Sequence, residues 1–106
     1  MVFPCDYLGS DVELTEEREE HILMNHPDLA PEHRKLIADT LADPDEVRRS
    51  ARFANAKMFI RLFESLRGGK YVVVIVVSDA SFSRNWIITS YMARKLSTGD
   101  IEWKKT

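Results

Sequence analysis

The apolar positions of this chain keep one period as far as Asp43 and another after it. In the first stretch, Thr15 offers a hydroxyl that can accept from an orphan amide. Glu16 and Glu17 behind it suit the positive end of a helix dipole. A helix starting there ends at or before His26, because the residue ahead of Pro27 is driven out of the α region. A second helix is predicted to open near Pro31, whose missing N–H costs nothing at the first helical position. Leu36, Ile37, Thr40 and Leu41 give it one apolar stripe, and Asp43-Pro44 closes it.

Beyond Pro44 the pattern turns to strands. Residues 48–53 are a first candidate, and residues 58–64 are rich in apolar and aromatic side chains without a helical stripe. Arg67-Gly68-Gly69-Lys70 reads as a hairpin turn, since Gly-Gly accepts the positive φ of tight connections. Residues 71–77 are continuous and β-branched, as expected of a central strand covered on both faces. Residues 84–92 make the next strand, and residues 100–104 a short edge strand. The expected fold is α+β, with two N-terminal helices packed on an antiparallel sheet of four to five strands. One face of that sheet meets the helices, and the other needs an explanation.

Length and composition narrow the class. The 106 residues suit one domain, 1–106, and not two separate cores. Cys5 is the one cysteine, so no disulfide framework exists, and a lone thiol fits a reducing compartment. The longest apolar run, residues 71–77, falls far short of the ~20 residues of a membrane helix. The first residues lack a basic and apolar leader. A cytoplasmic domain with no membrane partner is expected.

The net charge of -2 conceals two opposed halves. Residues 1–47 carry 13 acids against three bases, and residues 48–106 carry 12 bases against four acids. Either the halves pair across the fold, or the second half presents a basic surface suited to nucleic acid.

Several chemistries are excluded by spacing. His21 and His26 are five apart, about 140° around a helix, whereas a metal pair on one helix needs three or four. No metal site and no cofactor is expected. Gly68-Gly69 is a turn and not a phosphate loop, and no GxSxG elbow occurs. Cys5 is a weak nucleophile candidate near the chain end.

Metal-free acid–base work on a phosphodiester remains. RNA cleavage needs a base for the 2′-hydroxyl proton, an acid for the leaving oxygen and a cation over the developing phosphorane charge. Histidine titrates near neutrality, which makes His26 the candidate acid or base. Arg61 and Arg84 can fork onto phosphate oxygens, while Thr89, Ser90 and Tyr91 supply hydroxyls. Strand alternation points Phe59, Arg61 and Phe63 one way, and Ile87, Thr89 and Tyr91 one way. Arginine between two phenylalanines suggests a platform of cation and aromatic. Plainer roles stand beside these: His26 stopping a helix, Arg61 pairing with an acid of the helices, Phe59 and Phe63 in the core, Lys70 flanking a turn, and Trp86 and Trp103 as buried anchors.

Certain motifs occur in a telling order: His21-Ile22, His26-Pro27-Asp28-Leu29, Ile37 with Thr40-Leu41, Pro44-Asp45-Glu46-Val47, Phe59-Ile60-Arg61, the valine strand from Lys70, and Ile87-Ile88-Thr89-Ser90-Tyr91. Over residues 14–104 the chain resembles the phage-associated nuclease family of the barnase–EndoU–colicin–RelE class. The resemblance implies a RelE/barnase-like sheet with N-terminal helices and a metal-independent endoribonuclease acting on RNA or tRNA. By it, His26 is the general acid or base, Arg61 stabilises the phosphorane, and Thr89 and Tyr91 position the phosphate. Arg84, Lys70 and Phe59 would contact substrate. The expected setting is a toxin-like or processing component of a phage- or defence-related system, with RNA, a protein inhibitor or a second copy as partner. The rival expectations are a non-catalytic module that binds RNA or protein through the same basic sheet face, and a self-assembling domain.

Overall fold

The computed structural model describes residues 1–52, 55–96 and 99–106. A hairpin of Val2–Cys5 (β1) and Ser10–Glu13 (β2) precedes any helix. Then come Glu16–Asn25 (α1), a 3-10 turn at Pro27–Leu29, and His33–Ala42 (α2). The strands Glu46–Ser50 (β3), Ala56–Phe63 (β4), Lys70–Asp79 (β5), Arg84–Ala93 (β6) and Gly99–Lys104 (β7) follow. All seven strands belong to one sheet in the order β1-β2-β6-β5-β4-β3-β7.

The expected antiparallel sheet of four to five strands is therefore corrected in three respects. The sheet has seven strands, it is mixed because β2 runs parallel to β6, and its first two strands lie ahead of the helices. β1 and β2 have four residues each, with Phe3, Cys5 and Val12 buried among acids and Pro4. Such short strands carry too few alternations to register as a period. Pro4, which has no N–H to donate, is tolerated because β1 is an edge strand. Cys5 lies in β1 and is 2% exposed, so the weak nucleophile candidate is a core residue. Burial holds its thiol pKa above the ordinary value.

α1 starts as expected. Thr15 is the N-cap, and its hydroxyl accepts from the Arg18 amide at 3.2 Å. His26 ends the helix with φ −135° and ψ 62°. α2 begins at His33 and not at Pro31, because the chain first passes through the 3-10 turn and an extended Ala30. β3 covers part of the expected strand 48–53, of which Phe53 lies outside the described residues.

The sheet buries an apolar cluster on each face. On the first face α2 packs Leu36, Ile37 and Leu41 against Phe3, Val12, Phe59, Val72, Val74, Val76 and Ile87, and α1 adds Ile22. The second face holds Ala56, Met58, Ile60, Val73 and Ile75, flanked by Ile88 and Tyr91. β5 is thus covered on both sides, as its unbroken valine run implies. At the closed end of the first face, Tyr7 packs edge-on against Phe59 at 5.8 Å and donates to Glu102 at 2.7 Å. Burial and that carboxylate push the phenol up to about 12.

Four ion pairs among the described residues join the acidic half to the basic half: Arg84 with Glu13, Arg48 with Glu46, Arg61 with Asp43, and Lys105 with Asp43. The opposed charges interleave at these points. No helix among the described residues is long and apolar enough to cross a membrane.

Candidate functional site

α1 lies beside β6 for a topological reason. β2 pairs parallel with the start of β6 at Glu13 and Trp86, and two residues later the chain enters α1. The helix therefore continues along β6 where no further strand pairs on that side. Arg18 to His26 rises ~12 Å as a helix, and Ile88 to Tyr91 spans ~10 Å as a strand. The two ends match. The Arg18 guanidinium donates to the Ile88 carbonyl at 3.3 Å, and the His26 ring lies 5.7 Å from the Tyr91 ring.

Between helix and strand is a hollow of about 800 Å³ on the second face. Arg18, His21, Asn25 and His26 form one wall, while Ser50 comes from the end of β3 and Ala51 and Arg52 from the residues just after it. Met58, Ile75, Ile88, Thr89 and Tyr91 complete it from the sheet. The lining holds two imidazoles, two guanidiniums, three hydroxyls and an amide, and no carboxylate. The Thr89 Oγ1 is buried there without a hydrogen-bond partner, an uncommon state for a polar atom. Asn25 donates to the His21 carbonyl at 2.8 Å, which fixes the end of the helix.

A bulge in β6 decides which side chains reach this hollow. Ile75 pairs with Thr89, but the next residue, Val76, pairs with Ile87, so Ile88 is surplus. Ile87 is fully buried with the first cluster, whereas Ile88, Thr89 and Tyr91 belong to the second face. The expected common direction of Ile87, Thr89 and Tyr91 is corrected accordingly, since a bulge interrupts simple alternation.

Of the residues assigned to catalysis, His26, Thr89 and Tyr91 meet in the hollow and Arg61 does not. Arg61 shares the first face with Phe59 and Phe63, its guanidinium 5.2 Å from the Phe63 ring centre. It donates to the Asp39 and Asp43 carbonyls at 3.2 and 3.4 Å and lies 3.8 Å from the Asp43 carboxylate. There it holds the last carbonyls of α2. Phe59 has no exposed surface, so it cannot contact substrate. Lys70 opens β5 opposite Phe63, outside this hollow. Arg84 is bound to Glu13 at 2.7 Å and covers the Trp86 ring at 4.9 Å. Trp86 is half-buried and Trp103 is 38% exposed, so neither is a fully buried anchor.

Compared with protein-family models, curated proteins and solved structures, the chain matches none of them. The chemistry is therefore read from the site itself. Among the described residues no cluster of three or more histidine, cysteine or acidic side chains is placed to hold a metal ion. Arg18, His21, Asn25 and Arg52 were not anticipated. The first three stand at i, i+3 and i+7, one stripe of α1, and that spacing was the available signal.

Proposed function

We propose that this hollow is the phosphodiester site of a metal-independent endoribonuclease of the phage-associated nuclease class. The observation that carries the reading is two histidines, two arginines and an unpartnered threonine hydroxyl around one cavity without a lining carboxylate. Such a lining favours an anion. An RNA phosphate needs two proton transfers and compensation of a growing negative charge. His26 and His21 take the proton transfers, one removing the 2′-hydroxyl proton and the other protonating the departing 5′-oxygen. Arg18 and Arg52 face the phosphorane charge, a part Arg61 cannot play from the opposite face. Turned about χ1 out of its buried rotamer, Thr89 donates to a phosphate oxygen and gains the partner it lacks. Tyr91 packs against the His26 ring and holds it.

The test is cleavage of a fluorescent RNA with EDTA present. His26→Ala should lower the rate by about 100-fold or more while leaving the far-ultraviolet circular dichroism unchanged. RNA binding that weakens with salt but is never followed by cleavage would replace the enzyme by a non-catalytic RNA-binding module.

A further inference from the structure

A second hollow, of about 820 Å³, lies next to the first. Its sheet residues are Ala56, Val77 and Trp86, which pair with one another across β4, β5 and β6. Met58, Ile75 and Thr89 in the first hollow also pair across the same three strands. The two sets are neighbouring rungs of one face, two residues apart on β4 and β5, or about 7 Å. On β6 the step from Trp86 to Thr89 is three residues, and the surplus Ile88 keeps both on that face.

The lining here differs in kind. Trp86 supplies an aromatic surface, while Asn55, Ser78 and Asp79 supply both donors and acceptors. Arg49 and Lys57 add positive charge at the rim. Both are shared with Glu102, at 3.8 Å and 2.6 Å. Arg84 stacks on Trp86 but does not line the hollow, so the indole presents to the hollow a part that the guanidinium does not cover. An acidic lining group suits a phosphate poorly. A flat aromatic with mixed hydrogen-bonding groups suits a nucleobase, because every base has a π face and an edge of donors and acceptors.

We infer that the second hollow is a nucleobase subsite, in which Trp86 stacks the base adjoining the phosphodiester held by His26 and Thr89. This rests on the nuclease reading of the first hollow and adds that the substrate is single-stranded, because a paired base cannot leave its stack to reach Trp86 without unpairing. A strand of RNA would run along the second face from Tyr91 towards Trp86.

The probe is a 2′-O-methyl RNA trinucleotide, which lacks the attacking hydroxyl and stays whole. In a Trp103→Phe chain, Trp86 is the sole indole, and the trinucleotide should quench its emission while inorganic phosphate should not. The indole N–H signal of Trp86 in the native chain reports the same event if Trp103→Phe folds poorly. Trp86→Leu should weaken trinucleotide binding on the order of tenfold and leave phosphate binding at His26 unchanged. A trinucleotide that shifts the His26 ring signals without touching Trp86 overturns the subsite and leaves the nuclease reading standing. Failure of both residues to respond overturns both.

Discussion

The His26 and Tyr91 rings lie 5.7 Å apart at an interplanar angle of 39°. One residue ends a helix and the other sits late in the sheet, 65 positions on, so only the tertiary fold brings them together. Among the described residues no hydrogen bond orients the His26 imidazole, which leaves the tyrosine ring as its support. Tyr91→Phe keeps that ring and Tyr91→Ala removes it. The His26 ring-proton shifts should stay near their native values in the first variant and move in the second. RNA cleavage should follow, with the alanine variant slower by about tenfold. Equal effects of the two variants would show that the hydroxyl matters and the ring does not.

Thr89 separates stability from function. Its Oγ1 is buried without a partner, and a buried polar atom left unpaired is costly. Thr89→Val keeps the shape and removes the atom. Thermal unfolding should show a chain as stable as the native one, or more stable by about 1 kcal/mol. RNA cleavage and phosphate affinity should both fall. Loss of stability with unchanged cleavage would make the hydroxyl a structural group.

Arg61 gives the opposite pattern. Its guanidinium serves the carbonyls at the end of α2, so Arg61→Ala should cost about 1–2 kcal/mol in urea unfolding. Cleavage per folded molecule should remain within about twofold of the native rate. A loss of several orders of magnitude in cleavage would return Arg61 to the active site.

Glu19 ties α1 to α2. Arg34 donates to its two oxygens at 2.6 and 2.9 Å, and the His33 ring lies 2.9 Å from it. The Arg34 hydrogen bonds first, and then His33, hold the carboxyl down at about 2 from an ordinary 4.5. A depressed carboxyl stabilises the fold above its unfolded pKa, and the contribution is lost as pH falls through the folded value. Glu19→Gln should therefore be less stable than the native chain by about 1 kcal/mol at neutral pH, a figure allowing for the solvent around Arg34. The gap should close between about pH 5 and pH 2, as read from paired denaturation curves.

The readable parts of the sequence were those with a local cause. Thr15 capped the helix it was expected to cap, and the turn at Gly68-Gly69 and the central strand through residues 71–77 stand where their residue types put them. β1 and β2 were unreadable because two buried positions in one strand and one in the other are too few to make a period. The site divided in the same way. His26, Thr89 and Tyr91 carried their chemistry in their residue types. Arg61 carried the same chemistry but lay on the other face, where the ends of α2 and β4 meet. A guanidinium that holds the end of a helix and one that lines a hollow look alike in sequence. The bulge at Ile88 was equally hidden, since no glycine or proline marks it.

Ile22 is the one fully enclosed side chain of α1. The rest of that helix is held by polar struts: the Thr15 cap, the Arg18 bond to Ile88 and the Glu19 clamp. An element so lightly plugged into the interior opens at lower cost than the strands behind it. The wall bearing both imidazoles is thus the part of the hollow most readily displaced, and salt or acid, by loosening the Glu19 clamp, eases its separation from α2 while the sheet stays intact.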